Sequence, residues 1–115
     1  MTDELIIRVE ATKTFTRDLR TLAKKYRRIY EDVQPVIDDL KNGNIIGDKI
    51  PNIGYAVFKV RIRNSDIQKG KSGGYRLIYY LKTTTGIILL TIYPKSEQAK
   101  IEPDEIKLII EQKQS

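Results

Sequence analysis

The run IILLTIY (87–93) constrains this chain most, because it is apolar in both alternating phases. A strand of that kind must be covered on both faces and have strand neighbours, so it belongs inside a sheet. Two further strand patterns precede it. YAVFKVRIR (55–63) alternates with period two: Ala56, Phe58, Val60 and Ile62 fall on one face, and Tyr55, Val57, Lys59, Arg61 and Arg63 on the other. YRLIYYL (75–81) follows the polar, glycine-rich stretch NSDIQKGKSGG, and the turn KTTTG leads into the interior strand. Successive strands joined this closely read as an antiparallel meander.

The rest of the chain supplies the cover. LIIRVEA (5–11) is short and β-branched, hence a strand. Phe15, Leu19, Leu22, Ala23 and Tyr26 then recur at helical spacing, with Thr12 or Thr14 as the cap. A second helix is expected from Asp32 as cap, with Pro35 in its first turn and Val33, Val36, Ile37 and Leu40 as its buried stripe. Asn42-Gly43 ends it, and the glycine- and proline-punctuated segment to Gly54 reads as loop. A last helix opens at Ile101-Glu102-Pro103-Asp104-Glu105 and packs through Ile106, Ile109 and Ile110. The expected order is β-α-α-β-β-β-α. This is an α+β fold in one domain, residues 1–115, with a small antiparallel sheet and helices packed on one face.

Composition narrows the chemistry. Cysteine and histidine are both absent, which removes disulfides, thiolate metal sites and the commonest general acid/base. No metal or cofactor site is expected. No apolar run reaches the length of a membrane span, and the N-terminus carries acids where a signal peptide carries bases, so a cytoplasmic protein without a membrane partner is expected.

The net charge of +6 is concentrated. Residues 13–28 hold Lys13, Arg17, Arg20, Lys24, Lys25, Arg27 and Arg28 against Asp18 alone. Residues 58–82 hold Lys59, Arg61, Arg63, Lys69, Lys71, Arg76 and Lys82 against Asp66 alone. Focused positive blocks are the pattern of a surface that meets phosphates. For the first block the plainer reading, a solvated helix back, is preferred. In the second, Lys59, Arg61 and Arg63 share the strand face turned away from the helices, which is expected to be open. If register brings Arg76 to that face, like charges stand roughly 5 Å apart across the ladder, at a cost of a few tenths to one kcal/mol per pair. Such crowding is tolerated where an anion fills the gap. Gly73-Gly74 permits close backbone approach to a phosphate, although a turn or bulge before a strand is the simpler explanation of the pair. Tyr79 and Tyr80 read as packing residues, whereas Tyr93 closes its strand beside Pro94-Lys95, where a phenol near the cations can stack on a base or hold a proton.

FKVRI, KGKSGGYRLIYY and LLTIYPKSEQ, in this order and spacing, resemble the core of RelE/ParE-superfamily toxins of bacterial toxin–antitoxin systems, closest to the RelE-like and HigB-like branch. The resemblance covers nearly the whole chain. It implies a toxin that cuts messenger RNA in the ribosomal A site without metal and is held inactive by a cognate antitoxin. It further implies Lys59, Arg61, Arg76, Tyr93 and Lys95 as catalytic residues. Arg63, Lys69, Lys71, Lys24, Lys25, Arg27 and Arg28 would then contact messenger or ribosomal RNA. Ser96 and the segment EQAKIEP stand where the best-studied branch has an arginine and a tyrosine, so the general base stays open between Lys59 and other groups. A ParE-like gyrase inhibitor is the first alternative, and the full basic set argues against it. A non-catalytic RNA-binding module is the second.

Overall fold

The computed structural model describes residues 6–67 and 73–114. In chain order the elements are β1 (Arg8–Ala11), α1 (Lys13–Lys25), α2 (Ile29–Lys41), β2 (Asp48–Lys49), β3 (Val57–Ile62), β4 (Tyr75–Thr83), β5 (Gly86–Pro94) and α3 (Pro103–Gln114). The strands form one five-stranded sheet in the order β1-β5-β4-β3-β2. The meander β3-β4-β5 is antiparallel as expected. Two strand features differ from expectation. β1 lies parallel to β5, and two residues of the expected loop, Asp48 and Lys49, pair with β3 as an edge strand.

Strand alternation divides the apolar residues between two cores. Phe58, Val60 and Ile62 of β3, Tyr75, Leu77 and Tyr79 of β4, and Ile87, Leu89 and Ile92 of β5 pack with Phe15, Leu22 and Tyr26 and with Ile29, Val33, Val36 and Leu40. The complementary set, Val57, Ile78, Ile88, Leu90 and Tyr93, packs with Ile53, Ile101 and the α3 stripe Ile106, Ile109 and Ile110. The α+β class holds, but helices cover both faces and not one. The reason lies in β4 and β5, whose second apolar phase needs its own cover. The face expected to be open is therefore partly closed by α3.

Helix α1 begins where the threonine pattern allows. The Thr12 hydroxyl accepts the Phe15 N–H at 2.9 Å and donates to the Leu90 carbonyl at 2.8 Å, so one side chain caps the helix and ties it to β5. Helix α2 starts earlier than expected. Arg28 occupies its N-cap, without a side-chain cap bond, and Pro35 sits inside the helix. Completely buried Ile29 draws the extra turn onto the core, while Pro35 stays on the exposed side. Burying an isoleucine yields about 1.5–3 kcal/mol, comparable with the cost of about 3 kcal/mol for an internal proline.

Replacing Thr12 by alanine should lower unfolding free energy by about 1–2 kcal/mol, the usual loss for a cap, with further loss from the orphaned Leu90 carbonyl. Urea titration checks this: the midpoint falls at unchanged slope, and Thr12→Ser retains most of the stability.

A cationic candidate site at one end of the sheet

The register supplies the site. Across three adjacent strands Arg61 stands opposite Arg76, and Arg76 stands opposite Tyr93. Lys59 lies one step away on the same face, opposite Ile78. This face was expected from the alternation of β3, and the pairing places Arg76 on it.

Tyr93 reaches that face through an irregularity. On β5, Ile88 and Leu90 share the α3 face, so strict alternation would put Ile92 there and turn Tyr93 toward α1 and α2. Instead Ile78 pairs with Thr91 while Tyr79 pairs with Leu89, which leaves Leu90 as an extra residue. The bulge reverses the phase beyond it: Ile92 enters the first core and Tyr93 the second. Sequence periodicity carried no trace of this, because IILLTIY is apolar throughout.

Arg76 is not on an open surface, as the sequence suggested; it is 8% exposed. Its Nη1 donates to the Gly73 carbonyl at 3.1 Å and the Tyr75 carbonyl at 3.2 Å. Among the described residues it has no carboxylate partner. A guanidinium cannot shed its proton to escape burial, so this charge is permanent. Tyr93 is equally enclosed, and its hydroxyl lacks a hydrogen-bond partner of good geometry. Burial pushes its phenol up; the nearby Arg76 charge and the Ile101 backbone oppose this without cancelling it. Tyr93 thus keeps its proton at neutral pH.

The glycine pair has a steric role. Gly74 has φ of +58°, and a Cβ there would collide with the Ile62 carbonyl oxygen and crowd Arg63. The chain returning into β4 passes too close to the end of β3 for a side chain. The Gly74 carbonyl then accepts the Lys95 N–H at 3.0 Å, which holds Lys95 beside the same strand ends. Lys95 is exposed, as are Arg61 and Arg63, while Lys59 is half-buried. Lys69 and Lys71 lie outside the described residues.

The C-terminal part of the first basic block reaches the same end. Tyr26, which follows α1, meets the Tyr75 ring edge-on at 5.7 Å. Lys25 pairs with Glu97 at 3.5 Å, just beyond β5, and lies over the Tyr26 ring. The backbone N–H of Arg28 donates to Asp66, in the loop after β3, at 2.9 Å. Lys24, Arg27 and Arg28 are exposed around this corner. Tyr79 and Tyr80 behave as packing residues: Tyr79 stacks on Phe58 and donates to the Ile46 carbonyl at 2.6 Å, with its phenol pushed up to about 12. Tyr80 meets Tyr55 edge-on.

These features define a small basic α+β protein whose sheet ends in a row of cations lacking carboxylate partners among the described residues. A family model described as the RelE toxin of the RelE/RelB toxin–antitoxin system matches residues 7–114, and the chain belongs to that family. It is thus a toxin of a toxin–antitoxin system, with a cognate antitoxin as its partner. No match is found among curated proteins. Among the described residues no helix is long and apolar enough to cross a membrane.

Gly74→Ala should cost about 1–3 kcal/mol, from the left-handed backbone and the collision with β3. A thermal scan reads the loss. Loosened β3–β4 pairing should also appear as faster amide exchange at Ile62 and Tyr75.

Proposed function

We propose that this toxin is a ribosome-dependent endoribonuclease that cuts messenger RNA at the A site, and that the Arg61–Arg76–Tyr93 row with Lys59 and Lys95 carries the reaction. The observation behind this reading is Arg76: buried, permanently charged, opposite a second arginine, and without a counter-charge among the described residues. Structural arginines at such depth are ordinarily paired, because an isolated buried charge is costly. A phosphate between Arg61 and Arg76 removes both the desolvation penalty and the mutual repulsion.

The reaction that fits is internal transesterification. The 2′-oxygen forms a bond to the adjacent phosphorus, the bond from phosphorus to the 5′-oxygen breaks, and the products are a 2′,3′-cyclic phosphate and a 5′-hydroxyl. The 2′-hydroxyl proton must leave and the departing 5′-oxygen must gain one. Arg61 and Arg76 stabilise the extra charge of the phosphorane, the task for which fixed donors in a water-poor site are most effective. Lys59, on the same face, accepts or relays the 2′ proton once RNA is seated. Exposed Lys95 delivers a proton to the leaving oxygen. Tyr93, its hydroxyl enclosed beneath Ile101, supports Arg76 from the neighbouring strand and stays neutral while doing so. Arg63 and the cations of the α1–α2 corner, Lys24, Lys25, Arg27 and Arg28, hold messenger or ribosomal RNA. Lys69 and Lys71 are assigned to the same task. The whole chain acts as one RelE-like domain in the cytoplasm.

Arg76→Ala should reduce single-turnover cleavage on programmed ribosomes by about a hundredfold to a thousandfold, with antitoxin binding retained. Because Arg76 is buried, the variant's thermal midpoint is measured alongside. Arg76→Lys should rescue little, since an ammonium cannot span two carbonyls and a phosphate in one plane. Full cleavage by a folded Arg76→Ala protein makes the arginine structural. RNA binding by the wild type without cleavage products favours the non-catalytic module, and inhibition of gyrase without either favours the ParE-like target.

Groups serving one transition state lose their effects non-additively. The Lys59→Ala/Arg76→Ala double variant should therefore cleave at nearly the rate of the worse single variant. Multiplying effects in the same single-turnover assay would assign the two residues to separate binding contacts.

A further inference from the structure

Each basic block contains or borders an acid that one would expect to neutralise it. Asp66 is the sole acid of residues 58–82, and Asp32 follows the block at 13–28. Neither is spent on a cation in the described ion pairs. Asp66 Oδ2 accepts the backbone N–H of Arg28, at the N-terminus of α2, at 2.9 Å. Asp32 Oδ2, from the first turn of α2, accepts the backbone N–H of Ser65 at 2.9 Å. The two bonds run in opposite directions between the same two segments. Between them sits Asn64, 5% exposed, whose Oδ1 accepts the Asp66 N–H at 2.9 Å and whose carbonyl accepts the Ile67 N–H at 3.2 Å. This turn fixes the loop that receives the clamp. The carboxylate of Asp66 also satisfies the N–H of the N-cap residue Arg28, at the positive end of the α2 dipole.

We infer that Asp66 and Asp32 are positioning residues: their reciprocal clamp fastens the α1–α2 corner to the end of β3, so that two basic blocks distant in sequence present one continuous track to RNA. The inference rests on the RNA reading above. The clamp stands two residues from Arg63 on one side and next to Arg27 and Arg28 on the other. It joins the blocks through backbone N–H groups, so neither carboxylate takes up a cationic side chain in the described ion pairs. Each carboxylate is bound to a backbone donor, a charge-assisted bond stronger than a neutral one.

The sign of a single substitution tests this. Electrostatics alone requires that removing an acid from a basic surface tighten RNA binding. Positioning requires the opposite for Asp66→Ala, because the two blocks come apart. The probe is a labelled single-stranded oligouridylate of roughly fifteen nucleotides, titrated by fluorescence anisotropy over a series of salt concentrations. Asp66→Ala should weaken binding about tenfold, and its salt slope should be shallower by at least about 0.7, one phosphate contact's share in single-stranded RNA. Asp66→Asn keeps an oxygen acceptor for Arg28 and should bind as tightly as wild type or more tightly. Asp32→Ala, which breaks the other half of the clamp, should repeat the loss should Asp66→Ala prove poorly folded, and Asp32→Asn should restore it. Wild-type binding with equal or tighter binding by folded alanine variants overturns the clamp while the RNA reading stands. Where the wild type binds only programmed ribosomes, the same variants are compared on those; a wild-type chain that binds neither the oligouridylate nor programmed ribosomes overturns the RNA reading itself, and the joining role with it.

Discussion

The register that sets Arg76 between Arg61 and Tyr93 is enforced from both sides of the sheet at once. Tyr75, Leu77 and Tyr79 alternate into the core under α1 and α2, while Ile78 enters the core under α3. A slip of β4 by one residue would exchange these sets and drive the Arg76 guanidinium into the larger core. No such slip is affordable when both faces are covered, so the position of one cation is fixed by the packing of four apolar neighbours. Gly74 adds a second lock, since the start of β4 fits against β3 only without a side chain. The site is precise because the core around it is.

This explains which parts of the site could be read from the sequence. Lys59 and Arg61 were legible because β3 alternates cleanly, and alternation survives folding whatever lies above the strand. The pairing of Arg76 with Arg61 followed from meander geometry and one assumed register. Tyr93 was different: its place at the strand end and the resemblance to known toxins pointed to it, but alternation alone would have turned it the wrong way. A bulge in a strand that is apolar at every position leaves no mark in the pattern, because shifting the phase exchanges one hydrophobic residue for another. The start of α2 was misread for a related reason. Local signals, an aspartate before a proline, favoured a cap at Asp32, but burial of Ile29 outweighed them, and the aspartate was recruited by Ser65 from a distant segment. The parallel pairing of β1 and the placement of α3 on the second face are likewise tertiary choices. They depend on which surfaces remain uncovered once the meander exists.

The distribution of acids is as informative as that of bases. Asp18 accepts the Thr91 hydroxyl at 2.8 Å and pairs with neighbouring Arg17; Glu10 meets Lys113 at the other end of the chain. Glu97 pairs with Lys25, but both side chains are more than half exposed, and ion pairs of that kind contribute little. Asp48 stands opposite Lys59 and Glu105 lies near Tyr93, yet neither closes an ion pair with the row among the described residues.

Burying Arg76 changes what a bound phosphate would be worth under the proposed reading. An exposed arginine gives up hydration whenever it meets a phosphate, and much of the attraction is offset by that loss. Arg76 has already lost most of its water on folding, and only Nη1 has found protein partners among the described residues. The cost has been met by the two packed cores, so an arriving phosphate gains the interaction in a low-dielectric surrounding where it is strongest. Tyr93 contributes to the same end. It stands opposite Arg76 on the neighbouring strand, and its phenol, held neutral by burial, adds no competing negative charge. A lysine in this place would respond to burial by losing its proton. Arginine cannot, and that inability is what makes a buried, unpaired cation useful at the end of this sheet.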